Sequence, residues 1–205
     1  MFGTILAIAL AGQATGGQPA PLHFDCRGPV TQTMSAGVIL TRFGDKARRG
    51  DIAVTGGAPV KGVILYPDDP TRRLEIVFWD DAQTVVESVS AGARAVNWTG
   101  PLGLHPGSSL EEALAANGRK LWIDGFDWDY GGYVTNSWGG RLQKANADCA
   151  VQIRFVLPAG AKAPGTMTGE HLMDTSQPQV KALHPYVGLV SIGWPLPAGV
   201  KASAR

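Results

Sequence analysis

Two carboxylates and five aromatic rings lie close together in one stretch, GFDWDYGGYVTNSWGG, which runs from Gly125 to Gly140. If the first part of this stretch is a strand, Asp127 and Asp129 lie on one side of it, about 7 Å apart. Inverting glycosidases place their general acid and general base at such a separation. Because every Asp-x-Asp in a strand has this spacing, solvated carboxylates that keep a strand edge from pairing are the simpler interpretation.

The aromatic rings of the stretch could stack on a sugar or bury a side chain of a protein partner. In a small sheet covered by a short helix, the same rings would more simply be core residues or cross-strand pairs. The two Gly-Gly pairs favour turns, so the stretch is interpreted first as a hairpin and second as a binding site. The candidate ligand-binding residues are Asp127, Trp128, Asp129, Tyr130, Tyr133 and Trp138.

Other kinds of site find little support in the residue spacing. Asp127, Asp129 and Gly132 match positions 1, 3 and 6 of a calcium-binding EF-hand loop, but Trp138 stands where that loop needs a glutamate. The histidines have no zinc-site spacing, and the chain has no P-loop, dinucleotide fingerprint or nucleophile elbow. The sequence therefore predicts no metal, no cofactor and no catalytic residue, and it favours a protein that is not an enzyme.

Two short helices are predicted to support this stretch. SSLEEALAANG, from Ser108 to Gly118, places Ser108 and Glu111 as a capping box and ends on a glycine suited to the left-handed conformation. The segment from Thr31 to Gly44 has a similar pattern. Helices of this length are marginal alone, so each must pack on a sheet.

Strand-like runs follow each helix and are separated by turn residues. The predicted strands are Gly62 to Tyr66, Leu74 to Trp79, Val85 to Val89, Arg94 to Trp98, Lys120 to Trp128, Tyr133 to Trp138, Ala150 to Leu157 and Val187 to Trp194. The predicted fold class is α+β, with short helices packed on antiparallel sheet. Residues 21–205 form a single domain in this interpretation, and the pattern allows two tandem helix–sheet units, 24–99 and 100–195.

The compartment is predicted from the N-terminus and the cysteines. MFGTILAIALAGQATGGQPAP predicts a secretory signal peptide over residues 1–20, the alternative being a buried N-terminal strand. Cys26 and Cys149 are the only cysteines, and such a pair in an exported protein predicts one disulfide, the alternative being two unrelated thiols. No later segment is long enough to span a bilayer. We therefore expect a periplasmic or secreted protein.

The charged residues nearly cancel, with 18 Lys and Arg against 17 Asp and Glu. The overall field is therefore weak, and neither nucleic acid nor an anionic membrane is an expected partner. One short basic run, Lys46, Arg48 and Arg49, is predicted to be a solvated surface loop.

The segment GLHPGSSLEEALAANGRKLWIDGFDWDYGGYVTNSWGGRL, with the upstream LYPDDPTRRLEIVFWDD, resembles a family of uncharacterised exported bacterial proteins. That family has a G-x-x-x-G-x-S-L-x-E-x-x-x-x-N-G segment followed by G-F-x-W-D-Y-G-G, and the resemblance implies no particular activity. The pattern of helix, glycine and antiparallel sheet is also similar to the β-lactamase inhibitor protein and to small lipoproteins of outer-membrane protein assembly. This second likeness concerns the fold alone.

The sequence thus favours an exported, non-enzymatic interaction or ligand-binding module of the bacterial envelope, with a protein or a glycan as its partner. One alternative is a hydrolase of envelope glycans that uses Asp127 and Asp129. Another is an inhibitor-type module that docks on a protein partner.

Overall fold

The protein is described by a computed structural model that covers residues 22–144 and 149–204, so the predicted signal peptide lies outside the described residues. Eleven strands occur in the described part of the chain: β1 (Leu22–His23), β2 (Ala47–Ile52), β3 (Val60–Leu65), β4 (Leu74–Phe78), β5 (Val86–Gly92), β6 (Trp98–Thr99), β7 (Trp122–Asp124), β8 (Val134–Asn136), β9 (Ala150–Val156), β10 (Leu172–Asp174) and β11 (Tyr186–Gly193). The α-helices in the same residues are short: α1 (Ala36–Phe43), α2 (Leu110–Asn117), α3 (Arg141–Lys144) and α4 (Pro178–Lys181).

Most of the strands form one antiparallel sheet in the order β2-β3-β4-β5-β11-β9. A smaller antiparallel sheet has the order β10-β7-β8, and β1 pairs with β6 in parallel. An antiparallel bridge between Tyr133 and Arg154 connects β9, at the edge of the large sheet, to the chain just before β8. The large sheet therefore takes strands from both halves of the chain, and the small sheet extends from its β9 edge.

The main core lies on one face of the large sheet, and a small second cluster of Ile52, Ile64 and Val77 lies on the other. In β4, Leu74, Ile76 and Phe78 are buried in the main hydrophobic cluster, whereas Glu75 points to the other face and is ion-paired with Arg73. The helices α1 and α2 contact this sheet, and α2 buries Leu110 and Ala113 in the same cluster. The predicted α+β fold class, with short helices on antiparallel sheet, is confirmed.

Both predicted helices are present, but each begins later than predicted. The capping box of α2 uses Ser109 and Glu112 in place of Ser108 and Glu111. Ser108 is buried, and its hydroxyl already accepts the backbone N–H of His105, so it is not available as the cap. Gly118 ends α2 in the left-handed conformation at φ 73°, as the sequence predicts.

The first helix begins at Ala36, capped by Ser35, and does not include the predicted residues from Thr31 onward. The backbone N–H of Met34 closes a turn on the carbonyl of Thr31, and the carbonyl of Gln32 accepts the N–H of Val86. These bonds tie the segment to the start of β5, so it cannot continue the helix.

Two strand assignments also need correction. Arg48 and Arg49, predicted to lie in a basic loop, are part of β2, which pairs with β3 along its whole length. The strand predicted from Arg94 to Trp98 is reduced to Trp98–Thr99, because the N–H of Ala95 closes a turn on the carbonyl of Gly92.

The predicted disulfide between Cys26 and Cys149 is confirmed, with a Cα–Cα distance of 5.7 Å that suits such a bond. It links the turn after β1 to the residue just before β9. None of the helices in the described residues is both long enough and apolar enough to cross a bilayer.

Candidate functional site

Residues 125–133, named here the aromatic loop, form a compact loop between β7 and β8. The predicted strand from Lys120 to Trp128 is therefore wrong beyond Asp124, where β7 ends. Asp124 closes the loop, since its N–H donates to the carbonyl of Tyr133 and its carbonyl accepts the N–H of Gly132. Phe126, which strict alternation would place on the outer face with Trp122, is buried in the core.

Glycine is required at two points of the aromatic loop. Gly132 has φ 77°, and a Cβ there would overlap the carbonyl oxygen of Phe155, to whose N–H the carbonyl of Gly132 is hydrogen-bonded at 2.8 Å. A Cβ on Gly125 would come within 2.6 Å of the carbonyl oxygen of Gly169. The glycines thus allow the loop backbone to lie directly against two neighbouring segments, as well as to turn.

Arg154 on β9 holds the aromatic loop from one side. Its Nε donates to the carbonyl of Gly131 at 2.7 Å, and its guanidinium carbon lies 5.1 Å from the ring centroid of Tyr133. The phenol oxygen of Tyr133 is in turn hydrogen-bonded to Oγ1 of Thr55, 2.9 Å away, in the connection between β2 and β3. The loop is therefore fixed to the large sheet by contacts far apart in sequence.

Three of the predicted aromatic residues form a contiguous row. The ring centroids of Trp128 and Tyr130 are 5.4 Å apart, and those of Tyr130 and Tyr133 are 6.5 Å apart. The indole N–H of Trp128 donates to the carbonyl of Gly125, while the side chain of Tyr130, in the middle of the row, is 47% exposed. The row thus exposes the ring of Tyr130, while hydrogen bonds hold the side chains of Trp128 and Tyr133 on either side of it.

The fourth predicted aromatic residue, Trp138, belongs to a different cluster. Its ring centroid lies 6.3 Å from that of Trp122, and the ammonium of Lys120 lies 5.0 Å from the Trp138 ring and 5.7 Å from the Trp122 ring. Trp138 is 45% exposed. We name Trp122 and Trp138 the tryptophan pair. Lys120 is the lysine of this pair. Sequence reasoning missed Lys120 and Trp122, although the alternation of Trp122 with Leu121 and Ile123, both buried, is a signal that could have identified this ring.

Asp127 and Asp129 are both exposed and neither lies in a strand. The 7 Å separation was inferred from strand geometry, so it no longer follows for these two residues. Asp127 has φ 62°, a conformation that Asp tolerates better than most residues.

Two other carboxylates near these clusters have shifted pKa values. Hydrogen bonds from the Lys120 ammonium and from Ser176 lower the pKa of Asp174 to about 2, and the Lys120 Nζ is 2.6 Å from Asp174 Oδ2. Burial raises the pKa of Asp124, and the negative charge of Glu170 raises it further. The charge of Lys120 is thus balanced by Asp174, whereas the negative charge of Glu170 disfavours ionisation of Asp124.

A cleft of about 670 Å³ lies between β8 and β9. Its described lining is Val134, Thr135, Asn136, Ser137, Leu142, Gln143, Cys149, Ala150, Val151, Gln152, Ile153 and Pro195. None of these side chains is charged. Sequence reasoning missed this site because its walls come from segments with no recognisable motif.

No metal site is evident: within residues 22–144 and 149–204, no three His, Cys, Asp or Glu side chains come together so as to hold an ion.

Comparisons with protein-family models, with curated proteins and with solved structures find no match for this chain. The resemblance to exported proteins with a GFxWDYGG block therefore stays a prediction.

Proposed function

We propose that this chain is an exported, non-enzymatic binding module of the bacterial envelope that recognises its partner through the aromatic loop and the tryptophan pair. The observation that carries the proposal is the exposure of Tyr130 and Trp138, at 47% and 45%, on segments that hydrogen bonds and glycine contacts hold in place. Large rings that are already fixed lose little conformational entropy on binding, which is why Tyr and Trp are common anchors of interfaces.

Export is supported by the disulfide between Cys26 and Cys149, because such bonds persist in oxidising compartments such as the periplasm. The signal peptide predicted from the sequence also supports export. A periplasmic or secreted location would be tested by cell fractionation and by N-terminal sequencing of the mature protein. Recovery of the uncleaved chain in the cytoplasm, with reduced cysteines, would contradict it.

Binding is tested by co-sedimentation of the purified mature protein with isolated bacterial envelopes. We expect Tyr130→Ala and Trp138→Ala together to lower the bound fraction by about tenfold or more, as for lost interface anchors. Val38→Ala is the matched control, because Val38 is 51% exposed but lies on α1, outside the proposed surface. Equal sedimentation of the wild type, the double variant and the control would contradict the proposed surface.

A further inference from the structure

The large sheet has one edge that other segments cover and one edge that is open. At the β9 edge, the Tyr133–Arg154 bridge and the hydrogen bond from Gln152 to the carbonyl of Val134 attach the chain around β8. β2 forms the opposite edge, and β3 is its only strand partner among the described residues. The 6 residues of β2 therefore have one unpaired side, which is a template for pairing with another strand.

The backbone groups of β2 point away from the sheet at every second residue. The N–H of Tyr66 donates to the carbonyl of Lys46, which directly precedes β2. Bonded and non-bonded pairs alternate along an antiparallel ladder, so Arg49 and Asp51 direct their N–H and C=O groups outward. These groups make no hydrogen bond with any residue that the structure describes.

The side chains of the same two residues carry opposite charges. Arg49 and Asp51 are both exposed, and they lie on one face of β2, on either side of Gly50. Asp51 forms an exposed ion pair with Lys61 on β3, whereas the Arg49 guanidinium has no carboxylate partner among the described residues. Edge charges of one sign keep strands apart, but a basic and an acidic residue placed symmetrically about a glycine match a second copy of themselves.

The charges select one antiparallel register for such a pair of β2 strands. If Gly50 lies opposite Gly50 of a second copy, Arg49 lies opposite Asp51 in both directions, and the outward backbone groups face each other. A shift by two residues brings Arg49 opposite Arg49, or Asp51 opposite Asp51. A shift by one residue places the outward groups of one copy opposite inward groups of the other, so no ladder forms.

We propose that two copies of this chain associate through their β2 edges into one continuous antiparallel sheet, with Arg49–Asp51 ion pairs on both sides of a two-fold axis at Gly50. This inference goes beyond the proposed function and does not rest on it. Because the contact is isologous, it closes on itself and stops at a dimer. A single pair of strands is a small interface, so we expect a weak dimer with a Kd of roughly 0.1–1 mM.

Association through β2 leaves the aromatic loop uncovered by the pairing. That loop is fixed to the connection between β2 and β3, where Oγ1 of Thr55 is hydrogen-bonded to the phenol oxygen of Tyr133, and Thr55 lies beyond the end of β2. The dimer therefore carries two copies of the surface proposed for envelope binding. Two weak contacts with one envelope reinforce each other, since the second forms at a high effective concentration.

The test is sedimentation equilibrium of the purified mature protein from about 10 μM to about 1 mM. At the highest concentration, even a dimer with a Kd of about 1 mM contains about half of the chains. We expect dimer to form as the concentration rises, with slower hydrogen exchange at the backbone amides of Arg49 and Asp51. A monomer at every concentration contradicts the proposal, and so does a dimer in which these two amides exchange unchanged.

Charge reversal tests the register. Arg49→Glu makes both edge positions acidic and Asp51→Arg makes both basic, so each variant alone should dimerise about tenfold or more weakly than the wild type. An equimolar mixture of the two variants should form a heterodimer about as strong as the wild-type dimer, because every cross-strand pair again has opposite charges. Arg94→Glu is the matched control. It makes the same charge change at an exposed residue in the turn after β5, and it should leave dimerisation unchanged.

The mixture separates the proposed register from a general effect of charge. If the two reversal variants dimerise like the wild type, or if their mixture stays monomeric, the proposed pairing is wrong. The envelope test fails separately, because Tyr130 and Trp138 lie on other segments. If a dimer forms as described but envelopes are not bound, the proposed function is wrong and the β2 contact stands.

Discussion

The ion pair between Lys120 and Asp174 links two residues distant in sequence at the tryptophan pair, and its effect on stability should depend on pH. Asp174 has a folded pKa of about 2, against an ordinary value of 3.8. Because the folded pKa is the lower of the two, the stabilisation is fully present above about pH 4 and is lost as the pH falls toward 2. Its side chain is only 13% exposed, but that of Lys120 is 41% exposed, so we expect roughly 1–2 kcal/mol.

Lys120→Met should therefore destabilise the protein at pH 6 and have progressively less effect as the pH approaches 2, measured by urea denaturation at each pH. The control is Lys61→Met, whose partner Asp51 forms a far more exposed pair, with side-chain exposures of 80% and 59%. That variant should change stability little at any pH. Equal effects of the two substitutions would show that the Lys120–Asp174 pair stabilises the protein no more than the exposed Lys61–Asp51 pair does.

At the scale of single residues, the sequence predicts which side chains are candidates for the site but not which of them lie together. All six candidate residues lie in the aromatic loop or at the tryptophan pair. The sequence could not show that three of the four candidate rings form a row while the fourth, Trp138, pairs with Trp122. That division depends on Arg154, Thr55 and Lys120, which reach the rings from distant segments. Residue type indicates that a ring can bind, whereas its neighbours are decided by tertiary packing.

At the scale of elements, the docking of the aromatic loop onto β9 depends on a position where a Cβ does not fit. We expect Gly132→Ala to lower the free energy of unfolding by about 2–4 kcal/mol, because the new Cβ overlaps the Phe155 carbonyl and the residue must keep a positive φ. Gly139→Ala is the matched control, since φ there is 67° but nothing lies within 4 Å of the added Cβ. It should cost only about 1–2 kcal/mol. Urea denaturation measures both.

If the two glycine variants lose the same stability, the backbone conformation alone matters and the close approach to Phe155 contributes nothing. If Gly132→Ala instead leaves stability intact, the loop does not dock on β9 as described. In the expected case, the Tyr133–Arg154 contact should also loosen, which the NMR signals of the Arg154 side chain would report.

Elements with a local sequence signal were predicted well, and those without one were not. Alternation in β4 and the glycine that ends α2 are local signals, and both predictions hold. β2 carries Arg48, Arg49 and Asp51 at a sheet edge, so no apolar alternation marks it. β7 ends early because the Gly125 backbone packs closely against Gly169, a contact that alternation cannot reveal.

At the scale of the whole molecule, the large sheet depends on contacts between distant parts of the chain. β5 pairs with β11, and β11 pairs with β9, so the sheet is completed only when the C-terminal half joins the strands β2 to β5. The Cys26–Cys149 disulfide has a sequence separation of 123 and links these two halves covalently. Its main effect should therefore be on the unfolded chain, whose conformational entropy it reduces.

Cys26→Ser/Cys149→Ser should consequently lower the free energy of unfolding by up to about 4–5 kcal/mol, the value that the chain-entropy model gives for a loop of this length. Urea denaturation with and without a reducing agent measures the effect. Reductant should destabilise the wild type by the same amount and leave the double variant unchanged, which separates loss of the bond from the effect of the serine side chains. If the oxidised and reduced wild type unfold at the same urea concentration, the bond adds no stability. The two halves would then have to be held together by the β5–β11 and β11–β9 pairing and by the shared core.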